Sequence, residues 1–578
     1  MIKHKVFYVL VSAVLTLLKA DTSFSESIQK LPVSAVANST AGPQDVLLSQ
    51  ASALPVHDAH SYPSLAAAVT SIGAFGAVLL VSNQLAIPSN ISIPSTIQLK
   101  FSRGGQLLIA KNAIVSINGP VDAGLEWIFA GEGLVKFNKT AAKKVYPQWW
   151  GAKGDGSTED TQTVQKTINT VVSAGGGDVI FSKGIYIVNS IVLDSNVNIV
   201  GQGWDSILLQ KSGATYGVSV NPGNGGTPNP ADNKHDIIIR DIQFKGTVEK
   251  EGFREHFHLL NLNAVTNVVI INCKFVGWRG DGIYIGSSNV PRTERHNQRI
   301  KISECLFDGI NNDNRNAVSI IDGNEIIVDK NTFINCTRAD MPGAIDIEPN
   351  RDTFAVINDI KITNNSFQNV GGAGGVITMS IPVSQKDLIT PVNNILIEGN
   401  KINDLFMTNL RSDGIRLQQK QQIEESTPPN DIIVSNNIIK HIRRPFRILA
   451  IKGVKFINNT FEDSTYSALV DYGDEHKVQD IEFSSNIFKE LGSSDGIGVN
   501  VFAVTNIIFI NNVFDNIGLF NGSYGLALKF SSTYIDWVRI EKNLFQGKRT
   551  TTAIQDALIH QKLPDHIFIN GNIIKNKY

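Results

Sequence analysis

The chain has 578 residues, with 52 Lys and Arg against 53 Asp and Glu, a formal net charge of -1. That balance excludes the broad basic surface on which nucleic-acid binding rests. Three cysteines, Cys273, Cys305 and Cys336, exclude an even disulfide framework.

In chain order, the first predicted element is a secretory signal over residues 1–20. Lys3, His4 and Lys5 precede an apolar run at 6–18, too short to span a bilayer comfortably, and Ala20 offers a cleavage position. No other segment suits a membrane span. The exported location expected is secreted, or periplasmic and cell envelope. Residues 21–55 are rich in Ser, Ala, Gln and Thr without a period and read as a flexible linker. Residues 56–145 form a β-rich lead-in, with a short helix near 64–70 and strands at 77–81, 97–101, 107–109 and 114–117. A second helix comes after Asp160, its expected N-cap. Val164, Ile168, Val171 and Val172 fall on one face, and Gly175-Gly176-Gly177 ends it. An amphipathic helix here is expected to cap the open end of the C-terminal two-thirds of the chain, and the 64–81 stretch repeats the same helix, glycine, strand order.

Beyond residue 240 a motif recurs. Phe333, Phe367, Phe461, Phe488, Phe514 and Phe545 are each preceded, two residues earlier, by an asparagine: Asn331, Asn365, Asn459, Asn486, Asn512 and Asn543. Asn400, Asn437 and Asn572 precede Ile402, Ile439 and Ile574 in the same way, and Cys273 and Cys305 stand before Phe275 and Phe307. The apolar position recurs every 22 to 37 residues, which is the spacing of a solenoid. Short alternating runs, such as Ile360-Lys361-Ile362 before the asparagine and Ala344-Ile345-Asp346-Ile347 after it, are strands. The expected fold is an all-β stack of coils, with the asparagines forming an amide ladder and the cysteines acting as buried fillers.

The run Trp150-Gly151-Ala152-Lys153-Gly154-Asp155-Gly156-Ser157-Thr158-Glu159-Asp160-Thr161, then Gly175-Gly176-Gly177, a strand and Gly184-Ile185-Tyr186, resembles the start of the pectate-lyase superfamily. More narrowly it resembles the rhamnogalacturonase/epimerase-type pectate lyase domain. The Asn-x-Phe coils resemble the repeats of that superfamily over residues 146–578. The resemblance implies a right-handed parallel β-helix with an N-terminal capping helix, and a carbohydrate-active protein with a polysaccharide partner. The superfamily includes lyases, hydrolases, alginate-type epimerases and phage tailspikes, so it does not choose the reaction.

In such a coil the outward positions of equivalent strands make a stripe. Its expected members are Tyr284, Ser319, Asp346 with Glu348, Ile377, Arg416 with Gln418, and Arg447. Asp346 and Glu348 alternate with Ile345 and Ile347, which puts both carboxylates on the outer face with Cα atoms roughly 6.6 Å apart. Such a pair suits acid/base hydrolysis of a glycoside, a Ca²⁺ site, or a solvated ion pair with Arg338 or Arg351. The cofactor expectation is accordingly none, or Ca²⁺. Arg411, Arg416, Arg443, Arg444 and Arg447 offer a grip on acidic sugars, or else balance Asp404, Asp413, Glu424 and Glu425. His256 and His258, two apart, lack a third metal ligand at fixed spacing. Asp281, in an Asp-Gly-Ile turn, stands beside Tyr284. Trp278 offers an apolar platform or ordinary packing.

The reading from sequence is Asp346 and Glu348 as catalytic residues, with Arg416, Arg447, Tyr284, His258 and Asp281 binding substrate. Alternatives are a polysaccharide lyase or uronate epimerase, and a non-catalytic carbohydrate-binding spike or adhesin. Nothing in the sequence addresses the oligomeric state.

Overall fold

In a computed structural model of the chain, the described residues are 54–578 apart from 140, 142–143, 221–229, 288–294, 311, 352, 404–411, 420–426, 472–477, 519–524, 532–534, 548–565 and 576–578. The signal and almost all of the linker expected at 1–55, and Arg411, Asp404, Glu424 and Glu425, lie outside the described residues.

From Lys144 onward three long sheets run side by side, all their pairings parallel. The first holds 15 strands from Lys144–Val145 to Ile567–Asn570, the second 15 from Asp155–Glu159 to Ile573–Lys575, and the third 12 from Ile191–Leu193 to Leu526–Phe530. One coil contributes one strand to each, as in Ile357–Thr363, Ser366–Val370 and Gly375–Ile381. Inward side chains of all three sheets form a single continuous core.

The asparagine ladder forms as expected. Asn365 Nδ2 donates to Asn400 Oδ1 at 3.0 Å and to the Val328 carbonyl at 2.8 Å. The Asn365 backbone N–H donates to the same Asn400 Oδ1 at 3.0 Å. Each interior amide therefore uses both donors and both lone pairs, the only condition under which burying it is tolerable. Beside the ladder, Phe244, Phe275, Phe307, Phe333 and Phe367 stack with centroids 4.9, 4.9, 4.8 and 4.7 Å apart. The three cysteines are buried free thiols. Cys305 takes a ladder place through its backbone N–H, which donates to Asn331 Oδ1 at 2.9 Å.

A second periodicity is visible only in the backbone. Around each rung, residues five apart adopt positive φ: Glu325, Lys330 and Asn335; Asp359, Asn364 and Asn369; Asn506, Asn511 and Asn516. The middle residue of each set sits where a first-sheet strand gives way to a second-sheet strand, and the outer two lie within or just past the end of those strands, where they break the extended run. Asn and Asp recur there because they enter the left-handed region at less cost than other side chains.

The lead-in is more ordered than a set of strands. Val56–Asp58, Ala77–Val81, Ile97–Phe101 and Val121–Asp122 pair in parallel, and two three-stranded parallel sheets complete short coils of the same kind. Glycine makes these coils close: a Cβ on Gly105 would lie 1.9 Å from the Val81 carbonyl oxygen, and one on Gly119 2.0 Å from that of Ile97.

The helix after Asp160 spans Thr161–Ser173 and buries Val164, Ile168 and Val171, with Val172 half-buried. Two expectations for it change. Asp160 makes no N-cap bond; its carboxylate accepts from the backbone N–H of Lys153 at 2.7 Å and of Gly154 at 3.0 Å, tying down the glycine-rich loop. The helix also does not lie over an open end. It packs against Leu134–Phe137 of the lead-in on one side and Gly177–Phe181 of the long stack on the other, a layer between two sets of coils. The earlier helix, Leu65–Ile72, is capped by Ser64, whose Oγ accepts from the Ala67 N–H at 3.1 Å.

Candidate active site on the third sheet

Register along the third sheet defines one row of equivalent positions: Ser219, Asn261, Tyr284, Ser319, Asp346, Thr378, Arg416 and Arg447. The row contains every expected rung of the stripe except one. Ile377 pairs with Ile345 and Ile415 and is wholly buried in the core, and Thr378 takes its rung. Gly375-Val376-Ile377 has no polar–apolar alternation to set the phase, so the sequence pattern slipped by one residue there.

Asp346 and Glu348 do not share an open face. Asp346 is 1% exposed, whereas Glu348, just past the strand end, is half-buried. The cover comes partly from the loop before Val318–Ile320: Asn316 Nδ2 donates to Asp346 Oδ2 at 3.0 Å and to Ser319 Oγ at 2.9 Å. Among the described residues Asp346 Oδ1 meets no donor. Burial, and then the charge of Glu348, push the Asp346 carboxyl well above the usual carboxylate range, while Arg315 acts in the opposite sense. Glu348 also acts by direct contact between the two carboxyls. A proton on Asp346 resolves both features, because it gives the donorless oxygen a role and makes the carboxyl–carboxyl contact attractive.

Arg315 escaped the sequence reading. Its Nη1 lies 3.0 and 3.1 Å from the two oxygens of Asp281, and Nη2 lies 3.7 Å from Glu255. Against the cost of burial, Asp281 keeps the Arg315 guanidinium firmly charged. Arg315 and Asn316 are consecutive, one facing Asp281 and the next Asp346. The available signal was position: Asp281 and Asn316 each stand two residues before a third-sheet strand, Ile283–Gly286 and Val318–Ile320.

His258 and Asp281, expected to touch substrate, lie beneath the surface at 4% and 0% exposure. The His258 ring stacks on Tyr284 with centroids 4.4 Å apart and planes 7° apart, and on its other side faces Tyr216 at 6.1 Å. Its Nδ1 accepts the Asp281 backbone N–H at 3.0 Å. The Asp281 carboxylate is 3.3 Å from the same nitrogen, yet a nitrogen that accepts a hydrogen bond carries no proton, so the pair is not ionic. Burial lowers the His258 pKa to about 4. His256 is exposed in the preceding turn and does not share a strand face with His258. Tyr284 is pushed up to about 12, by burial and then by the Asp281 charge, so its hydroxyl keeps its proton. Trp278 is fully buried and donates to the Arg315 carbonyl at 3.1 Å, which makes it packing and not a platform.

These facts make a prediction. His258 should remain neutral, protonated at Nε2, down to about pH 4. A histidine with a depressed folded pKa contributes stability that is lost as pH falls from the ordinary imidazole range towards 4. Imidazole nitrogen shifts followed by NMR from pH 8 to 4 should show no titration at His258 above pH 5.

Farther along the row the charge changes sign. Arg416 Nε donates to Gln418 Oε1 at 3.1 Å, and Arg447 Nη2 is 3.7 Å from Asp471. Asp413, 2% exposed, lies 3.6 Å from Arg444 Nε. Burial pushes its carboxyl up even against the pull of Arg444, Arg416, Arg447 and Arg443.

The donors around Asp346 do not suit calcium. That ion takes six to eight oxygens, whereas Asp346 is approached by the Asn316 amide N–H and lies in the field of the Arg315 cation. Among the described residues no group of three or more His, Cys, Asp and Glu is placed to hold a metal. Nor is any described helix long and apolar enough to cross a membrane.

Stacked parallel coils with a charged row on one face define a pectate-lyase-like right-handed parallel β-helix protein. Residues 148–371 match the family described as rhamnogalacturonase A/epimerase, pectate lyase-like, and residues 388–559 match the right handed beta helix region. Gene product 12 of bacteriophage phi29 superposes with a TM-score of 0.54 at 17% identity, over 70% of this chain and 52% of that one. The catalytic unit of the GH87 α-1,3-glucanase from Streptomyces thermodiastaticus strain HF3-3 superposes with 0.50 at 15% identity, over 75% and 69%. At these identities the likeness is one of fold. Alginate lyase 7 of Azotobacter vinelandii is 38% identical over 69 residues, 11% of this chain and only 8% of that protein.

Proposed function

We propose that the chain binds a polysaccharide lengthwise on the third sheet and cleaves it by acid/base chemistry at Asp346 and Glu348. The observation that carries this reading is a buried Asp346 carboxyl with one oxygen that meets no donor among the described residues, its pKa raised by burial and then by its half-buried neighbour Glu348. Glu348 is the member that faces substrate. In hydrolysis the pair's proton reaches the leaving glycosidic oxygen through Glu348, and the ionised Glu348 then takes a proton from the attacking water, with Asp346 buried beneath it as the group that shares the proton. The C–O bond to the leaving sugar breaks, the C–O bond to water forms, and the pair ends with the one proton it began with. Arg416 and Arg447, one and two rungs beyond Thr378, orient an acidic sugar. His258 and Asp281 act by holding Tyr284 and Arg315 in place. The protein works outside the cytoplasm, where such polymers lie.

A second reading is eliminative cleavage or epimerisation of a uronate. It is favoured by the contact between the two carboxyls, which puts acid and base on the same face of the sugar, whereas glycosidases set theirs about 5 to 9.5 Å apart across the bond. The short stretch shared with alginate lyase 7 fits this reading. One assay separates the two. On a panel of plant, algal and bacterial polysaccharides, hydrolysis releases reducing ends without ultraviolet absorbance, and elimination releases both. Binding without either product leaves the spike or adhesin reading and ends the enzyme one.

A further inference from the structure

We propose that Arg443 and Arg447 form, with Arg416, Arg444 and Tyr466, an oxyanion-binding subsite for a charged sugar substituent remote from the bond that is cut. The proposal rests on the reading that a glycan lies along the third sheet.

Four guanidinium groups converge here from two adjacent coils. Arg416 and Arg447 are register neighbours on the row, and Arg444 opens the second strand, opposite Asp413. Arg443 and Arg444 both stand over the Tyr466 ring, at 5.2 and 5.9 Å from its centroid. That arrangement is costly unaided. Burial, and then Arg447, lower the Arg416 pKa, and burial does the same to Arg444. Nε of Arg443 and Nε of Arg447 are both buried with no acceptor among the described residues. The described carboxylates compensate poorly. Asp413 is itself buried with its carboxyl pushed towards the neutral form, and Asp471 is 3.7 Å from Arg447. Arg444 is committed to the fold, since it donates to the Ser467 carbonyl and faces Asp413. Among the described residues Arg443 has no such carboxylate, and its charge is met by the Tyr466 face.

An external oxyanion removes the repulsion and occupies the outward ends of the guanidinium groups. A carboxylate or a sulfate ester supplies that chemistry, each accepting charge-assisted hydrogen bonds from more than one arginine. Place in the row decides which sugar is read. Arg416 stands two rungs from Asp346 and Arg447 three, about 10 and 14 Å along the axis. The subsite therefore reads a sugar on one side of the scissile bond only.

The test is calorimetric binding to the full-length chain of three hexasaccharides: an oligogalacturonate, a sulfated galactan and a neutral glucan. Binding to at least one anionic probe should weaken about tenfold or more in the Arg443→Gln, Arg447→Gln double variant and recover partly with Lys at both positions. Neutral binding should not change. Loss confined to the uronate, or to the sulfated probe, names the substituent. An unchanged affinity for both anionic probes in a variant with wild-type circular dichroism overturns the subsite, as does a wild-type chain that binds neither. The cleavage reading fails separately, if the wild type binds a probe and cuts no polymer of the panel.

Discussion

Asn459→Leu is expected to destabilise the coil stack by about 4 kcal/mol. The Asn459 side chain donates to the Val434 carbonyl at 2.8 Å and to Asn486 Oδ1 at 2.9 Å, and its Oδ1 accepts from Asn437 N and Nδ2 at 3.0 and 2.9 Å. Leucine fills the space but satisfies none of these. Two donors of Asn437 and one carbonyl are left buried without partners, each costing about 1–3 kcal/mol. The damage is local, because each coil touches only its neighbours. Urea unfolding measures the loss, and amide exchange should quicken first in the coils around residues 434–486. Asn572→Leu is the internal control: its side chain ends the ladder, half-buried, and its loss should cost less than half as much. A cost for Asn459→Leu below about 1 kcal/mol would show that the ladder is ornament on a hydrophobic stack.

That ladder was legible because two signals coincide in it. Strand alternation gives a period of two, and the buried amide must recur once per coil or leave its neighbours unsatisfied. The lead-in was less legible for the same reason. Its coils close on glycine, at Gly105 and Gly119, where the constraint is a missing Cβ and no side chain repeats. The role of Asp160 was misread because an Asp before a helix has two competing backbone targets. Here the loop N–H groups of Lys153 and Gly154 won.

The site divides in the same way. Asp346 and Glu348 stood out because they interrupt the apolar run Ala344-Ile345-Asp346-Ile347-Glu348, although the strand itself stops at Ile347. Arg315 did not, since its partner Asp281 is 34 residues away and the two meet only when coils stack. Burial was also out of reach. Alternation places Asp346 away from the core, but whether a loop then covers it depends on Asn316, one coil back in the chain. The cover turned a surface carboxylate beside Glu348 into a buried one whose carboxyl is pushed well above the usual carboxylate range.

Asp346→Asn should therefore sharply lower activity and stabilise the protein at neutral pH. Asn316 Nδ2 still finds an oxygen, and the new amide offers Glu348 a permanent N–H where the wild type must hold a proton. The sign comes from linkage. The folded Asp346 pKa is raised, so the native state binds the proton more tightly than the unfolded chain. The stability this group contributes is full in acid and is lost as pH rises from the ordinary carboxylate range through the raised value. Wild-type Tm should fall across that interval more steeply than that of Asp346→Asn, and the curves should converge in acid. Glu348→Gln removes the second cause of the shift, so its Tm should also depend less on pH. Both substitutions remove acid/base capacity, and each should lower kcat about 10³-fold with circular dichroism unchanged. A purely structural pair would give a different result. Asp346→Asn would then alter the pH dependence of Tm while cleavage continued at the wild-type rate, and the catalytic assignment would have to move off these two residues.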